Sequence, residues 1–236
     1  MTSVATSTSL PPLLILSTGP GEPAWNMALD EALLVTAAPR QSPLLRFYGW
    51  TGPAATFGYS QRLADIERQT LLRPLLRRPT GGGLVPHDCD WTYSFTVPPA
   101  HPWYELSALE SYRSVHAWIV EALGTLGVSA ELAQVARCVA PGQCFAGHER
   151  FDVLWGGRKI AGAAQRRNRL GLLIQGSLQP PPRLDRADWE SAMTHTAPPA
   201  FFPSTAPAPA TPPEAAALAS ELVAGKYAQA AYHARR

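Results

Sequence analysis

Arg77-Arg78-Pro79-Thr80-Gly81-Gly82-Gly83-Leu84-Val85-Pro86-His87-Asp88 sets three consecutive glycines behind a pair of arginines. With no side chains in the way, such a run leaves backbone N–H groups open. It also allows the positive φ angles that turn successive donors toward one anion. The two arginines add a guanidinium fork suited to a carboxylate or a phosphate. The stretch reads as a loop that lets a small anionic or acyl group lie against bare backbone. The plain alternative is a hairpin turn with two solvated arginines, because short glycine motifs match by chance.

Just downstream, Trp91, Tyr93, Phe95 and Val97 alternate with polar residues, which predicts a half-buried strand. Upstream, Leu13–Ser17, Leu44–Tyr48 and Ala54–Gly58 are strand candidates. Trp25, Ala28, Leu29, Ala32 and Leu33 recur at helical spacing, so a helix is expected over about Ala24–Val35. A short helix is expected from Asp65 to Leu72. The stripe from Leu109 through Tyr112, His116, Ile119 and Leu123 to Leu126 predicts one long helix from about Tyr104, ended by Gly127. On that stripe His116 reads as a hydrogen-bonded core residue. Helices segregated from antiparallel strands give an α+β layout.

A second informative stretch is Phe151-Asp152-Val153-Leu154-Trp155-Gly156-Gly157-Arg158-Lys159-Ile160-Ala161-Gly162-Ala163-Ala164-Gln165. Apolar runs flanking Gly156-Gly157 predict a two-residue hairpin turn, with Lys159 near the start of the returning strand. Of 20 basic residues only Lys159 and Lys226 are lysines. Against that bias toward arginine, Lys159 reads either as an ordinary hairpin lysine or as a compact charge that arginine cannot replace. Between the motifs lies Cys144, followed by Phe145. A thiol is a nucleophile as thiolate, and a nearby ammonium favours that form. By itself, however, a free cysteine is more often a small buried hydrophobe than a catalyst, which leaves Cys144 in the structural class.

The 236 residues suit one core, and 46% hydrophobic content is ample to build it. A net charge of +2 carries no nucleic-acid signature. Arg166-Arg167-Asn168-Arg169 reads as a solvated turn, with a partner-facing patch as the alternative. Cys89, Cys138 and Cys144 are an odd set with no metal-ligand spacing, so neither a disulfide framework nor a metal site is expected. The N-terminal apolar run Leu13–Leu16 is too short for a signal peptide or a membrane span. A soluble, cytoplasmic protein is therefore expected. Residues 197–213 are dense in proline and alanine and read as an extended linker. The expected division is a catalytic domain over 1–196, that linker, and a C-terminal helix within 214–236, running from about Glu214 toward Tyr232.

These elements together resemble the lipoate–protein ligase A family, and within it the cysteine-dependent octanoyltransferases. The residues that carry the resemblance are Asn26-Met27-Ala28-Leu29-Asp30-Glu31, Gly58-Tyr59-Ser60-Gln61, Arg77 through Asp88, Thr92-Tyr93-Ser94, Cys144-Phe145, Gly157 through Gln165, and Gly176-Ser177. The resemblance implies a biotin/lipoate-ligase catalytic fold of mixed, mainly antiparallel sheets packed with helices. It implies Cys144 and Lys159 as catalytic residues. Arg78, Gly81, Gly82, Gly83, Leu84, Val85, His87, Gly162 and Ala163 would bind substrate. The implied reaction is octanoyl transfer from acyl carrier protein to a lysine of a lipoyl domain, on glycine cleavage H protein or a 2-oxoacid dehydrogenase E2, with no cofactor, nucleic acid or membrane involved. The alternatives are an ATP- and magnesium-dependent lipoate ligase, an amidotransferase between lipoyl domains, and a non-enzymatic binder of such domains. Three departures bear on the choice. Phe151-Asp152 stands where ligases tend to carry Asn-Asp, and no accessory domain is expected; both favour the transferase. Gly83 completes a ligase-like triple glycine. In addition, Gln175 stands where a histidine often precedes Gly-Ser.

Overall fold

A computed structural model describes residues 10–137, 147–202 and 210–235. In chain order the elements are β1 (Leu14–Gly21), α1 (Pro23–Val35), α2 (Ala37–Arg40), β2 (Leu44–Trp50), β3 (Ala54–Phe57), α3 (Leu63–Glu67), β4 (Leu75–Arg77), β5 (Val85–His87) and β6 (Trp91–Val97). They continue with α4 (Pro102–Glu105), α5 (Ala108–Thr125), β7 (Ala130–Leu132), β8 (Val153–Trp155), β9 (Arg158–Asn168), β10 (Gly171–Leu178), α6 (Arg186–His195), α7 (Pro213–Leu222) and α8 (Ala230–Ala234). Seven strands form one sheet in the order β1-β2-β6-β10-β9-β8-β7, parallel only at β1–β2. A second sheet, β4-β3-β5, carries the glycine loop between β4 and β5. The α+β layout expected from the sequence is the one observed.

Strand β6 has the expected bounds but is buried on both faces. Tyr93, Phe95 and Val97 pack into the core under α5 and α6. Thr92, Ser94 and Thr96 are buried too, because each hydroxyl has a partner on the opposite face. Ser94 Oγ donates to Asp30 Oδ1 of α1 at 2.6 Å, and Thr96 Oγ1 accepts from Arg40 Nη2 at 2.8 Å. The polar half of the alternation is thus satisfied inside the protein rather than by water.

The long helix expected from Tyr104 is broken in two. Ser107 caps α5: its Oγ accepts from the Glu110 N–H at 3.2 Å, while Glu110 Oε2 accepts from the Ser107 N–H at 3.0 Å. This reciprocal cap was legible as Ser-x-x-Glu. Leu109, in the first turn of α5, is exposed. The short helix α3 also begins earlier and ends sooner than expected. The C-terminal helix is three pieces, α7, a π-helical turn over Val223–Tyr227, and α8. The wider turn accompanies contacts in which Lys226 Nζ and Tyr227 OH both meet Glu31 of α1. Phe201, placed by composition in the linker, is buried against His101, Trp103 and Phe95. An aromatic ring gains more from that contact than proline-rich sequence gains from solvent.

His116 is the core residue its stripe suggested. Its Nδ1–H donates to the Phe151 carbonyl at 2.6 Å, and its ring packs edge-on to Tyr112. Burial lowers its pKa to about 4, against the opposing pull of Asp152 and of the Phe151 carbonyl. The unfolded chain therefore takes up a proton near pH 6.5 that the folded chain refuses until about pH 4. Stability supplied by neutral His116 is complete above pH 6.5 and is lost as pH falls through that window, by about 3 kcal/mol in all. Urea unfolding at about pH 7 and about pH 5 should show a smaller acid loss in His116→Gln than in the parent chain.

Candidate active site

Lys159 occupies the point where two hollows meet. It lines a narrow slot between the two sheets, floored by Met27, Tyr48 and Gln175 and walled by Gly82, Val85 and Ala163. It also lines a broad cleft of about 820 Å³ bordered by Arg137, His148, Trp155 and Pro180. Hairpin geometry brings it there. Gly156 and Gly157 take φ of 55° and 73°, the left-handed values that a tight two-residue turn needs. The Lys159 side chain is only 8% exposed, and its Nζ sits 2.8 Å from Asp152 Oδ2. That rules out the ordinary solvated lysine.

Asp152 is fully buried and held from two further sides. Tyr112 OH donates to its Oδ1, and the Glu149 N–H donates to its Oδ2 at 2.7 Å. Burial and the Asp152 charge push the Tyr112 hydroxyl far above its ordinary pKa, so it remains a donor. Gly162 completes the arrangement: a Cβ there would lie 2.7 Å from both Lys159 Cε and Nζ. The ammonium therefore rests against bare backbone. In the sequence Asp152 stands out only as half of the Phe151-Asp152 pair. Its available signal was position, across a two-residue hairpin from Lys159.

The glycine loop is fixed more tightly than three glycines suggest. Gly82 takes φ of 85°, and a Cβ on Gly58 would lie 2.0 Å from the Gly82 carbonyl oxygen. The Tyr59 N–H donates to the Thr80 carbonyl at 2.8 Å. Thr80 Oγ1 in turn donates to Gln175 Oε1 at 2.8 Å, and Gln175 Nε2 donates to Asp30 Oδ2 at 2.7 Å. Gln175 thus ties the loop to the buried Asp30–Arg46 ion pair, whose Nη1···Oδ1 separation is 2.7 Å. Gln175, which stands at the histidine position, has a structural task.

The two arginines do not form one fork. Arg78 lies beneath the loop and lines the slot, with Nη2 donating to the Gly81 carbonyl at 2.5 Å. Arg77 points the other way, toward the carbonyls of Tyr59, Gln61, His233 and Arg235. Successive strand residues face opposite sides, so adjacent arginines on β4 and its continuation had to diverge. Leu84 packs into the small core with Ala55, Phe57 and Ile66 instead of lining the slot.

Val85, His87, Gly162 and Ala163 do line the slot. His87 is locked: Nδ1 meets Asp90 Oδ2 at 2.9 Å, Nε2 meets Thr56 Oγ1 at 2.9 Å, and the ring stacks on Trp50 at 4.0 Å. The partner is Asp90, not the exposed Asp88, because the β5–β6 turn folds Asp90 back over the ring. Burial opposes ionisation of Asp90. The His87 ring and hydrogen bonds from Ser177 and Thr92 outweigh it and hold the carboxyl below its usual range. Arg166 and Arg167 lie on β9, half-buried against Tyr59 and Tyr104, and only Arg169 stands exposed in the turn to β10.

Cys138 and Cys144 lie outside the described residues. The chain flanking that segment is pinned, since the Arg137 and His148 backbones exchange hydrogen bonds at 2.7 and 3.0 Å. Cys89 is exposed at the β5–β6 turn. Among the described residues, no group of three acidic, histidine or cysteine side chains is arranged to hold a metal ion. No helix among them is long and apolar enough to cross a membrane.

The same fold is found in solved lipoate–protein ligases. One ligase A structure, bound with ATP, superposes with a TM-score of 0.73 at 21% identity, covering 95% of this chain and 98% of that one. An archaeal bipartite lipoate protein ligase from Thermoplasma acidophilum, described with its E2 lipoyl domain, gives 0.69 at 21% identity over 96% and 97%. The lipoyl protein ligase A/B catalytic domain pattern matches residues 22–192, and the chain belongs to that family. Octanoyltransferase LipM of Kyrpidia tusciae is 36% identical over 176 residues, 70% of this chain and 64% of the relative's length.

Proposed function

We propose that the protein transfers an octanoyl group from acyl carrier protein to a lysine of a lipoyl domain, by way of a thioester on Cys144. The observation that carries this reading is Lys159 at the junction of slot and cleft. An acyl tail lying in the slot would present its carbonyl beside the ammonium. A thiol or amine arriving through the cleft would meet the same carbon. The relative named octanoyltransferase supports the acyl group, and the pinned flanks of residues 138–146, with Arg137 and His148 on the cleft rim, support the approach of Cys144.

In the first half-reaction the Cys144 thiolate adds to the octanoyl carbonyl, and the carrier's thiolate leaves as the new C–S bond replaces the old one. In the second, the neutral amine of the acceptor lysine adds to that carbonyl, loses a proton, and expels the Cys144 thiolate, leaving an amide. Exchange between thioesters is nearly isoenergetic and thioester to amide is downhill, so no nucleotide is needed. The Lys159 ammonium favours the thiolate and stabilises the oxyanion in both additions. Backbone N–H groups near Gly82 and Gly83 would share that oxyanion. Each methylene buried in the slot contributes ~0.8 kcal/mol.

Incubation with octanoyl–acyl carrier protein and no ATP should add one octanoyl group to the protein, seen by intact mass and removed by hydroxylamine. ATP should not accelerate transfer to a lipoyl domain. Pyrophosphate release with free lipoate, undiminished in Cys144→Ala, would assign the site to a ligase instead.

A further inference from the structure

The family match ends at residue 192, yet residues 210–235 are built into the support of the slot. We propose that this C-terminal segment positions the glycine loop of the acyl slot, with Arg77 and His233 as the positioning residues. The proposal rests on the reading of that slot as the acyl site.

Arg77 is buried and joins two stretches of backbone that are remote in sequence. On one side its Nη2 donates to the carbonyls of His233 and Arg235 at 2.8 and 2.5 Å. On the other its Nη1 donates to the carbonyls of Tyr59 and Gln61, both at 2.6 Å. Its own backbone N–H donates to His233 Nδ1 at 3.0 Å. The other ring nitrogen of His233, Nε2–H, donates to the Tyr227 carbonyl at 2.9 Å, which sets the tautomer and leaves Nδ1 as the acceptor. The segment is itself anchored on α1. Ala215 and Ala219 are buried against that helix, and Lys226 and Tyr227 reach Glu31 at 2.5 and 2.6 Å.

The Gly58–Gln61 turn on the far side of Arg77 is the surface on which the loop rests. Gln61 Oε1 accepts from the Gly58 N–H at 2.9 Å, and Tyr59 is bonded to Thr80. Gly58 offers the Gly82 carbonyl a contact that no Cβ would permit. A glycine loop has few side chains to hold it and the most conformational freedom to lose. Its order must come from neighbours. Arg77 is the neighbour that carries the C-terminal segment's hold to it.

The test compares His233→Ala, His233→Asn and Lys226→Gln in the full chain. Asparagine keeps a side-chain acceptor near the position of Nδ1, whereas alanine removes it. Loop hydrogen exchange, read on the peptide spanning residues 57–61 whose Tyr59 N–H is bonded to the loop's Thr80 carbonyl, should be about tenfold faster in His233→Ala, and the KM for octanoyl–acyl carrier protein about tenfold higher, with kcat changed less than about twofold. His233→Asn should restore both values to near the parent's. Lys226→Gln loosens the segment at Glu31 without touching Arg77 and should move exchange and KM the same way by a smaller factor. Loop exchange unchanged in His233→Ala and Lys226→Gln, or a drop in melting temperature with KM unmoved, would overturn the proposal. Exchange is read without turnover, so absence of octanoyl transfer in the parent chain would defeat the functional reading and leave the coupling to be decided by exchange alone.

Discussion

Cys144→Ser is expected to lower nucleotide-free octanoyl transfer by at least about 10³-fold, the scale on which removal of a covalent nucleophile is felt. In the proposed mechanism the Lys159 ammonium favours a thiolate, but a serine hydroxyl stays protonated near neutral pH and the same charge cannot supply the missing ionisation. The loss should appear in both half-reactions: no mass adduct with the octanoyl carrier, and no octanoylated lipoyl domain. Cys89→Ser is the control. Cys89 is exposed at the β5–β6 turn, in a hollow with Asp88 and Trp91 that does not include Lys159. Its replacement should leave the rate within about twofold, since exposed positions away from special features tolerate change. Near-parent transfer by Cys144→Ser without ATP would remove the acyl-enzyme from the mechanism.

Lys159→Arg is expected to cost about 10²-fold in kcat/KM although the charge is kept, a loss on the scale of one misplaced oxyanion donor. The ammonium sits 2.8 Å from Asp152 and against the bare Cα of Gly162. A planar guanidinium needs more room than that contact leaves, and it would aim its charge elsewhere. Arginine is the informative substitution because Asp152 keeps a cationic partner. Lys159→Met would instead strand a buried carboxylate and destabilise the fold by about 3–5 kcal/mol, confounding the kinetics. Transfer measured beside a thermal melt separates the two effects. A fully active arginine variant with unchanged stability would exclude Lys159 from the chemistry.

The sequence by itself determined what near neighbours decide. Strand β6 was legible from its period of two, the β8–β9 hairpin from Gly156-Gly157, and the end of α5 from Gly127. The order of these signals, with the arginine–glycine loop and Lys159 among them, was enough for the α+β class and the family. Tertiary structure decided what depends on partners far along the chain. Adjacent Arg77 and Arg78 look equivalent as letters. Strand geometry sends one beneath the loop and the other to carbonyls contributed 156 and 158 residues later. Leu84 sits inside the glycine motif yet belongs to a core. Asp90 rather than Asp88 meets His87, because the turn decides which carboxylate returns. Asp152 becomes the partner of Lys159 only once the hairpin closes and Tyr112 arrives from α5. Turn and strand signals are local free-energy preferences, readable over a few residues. The environment of a buried charge is set by long-range packing, where register and helix docking choose which groups meet.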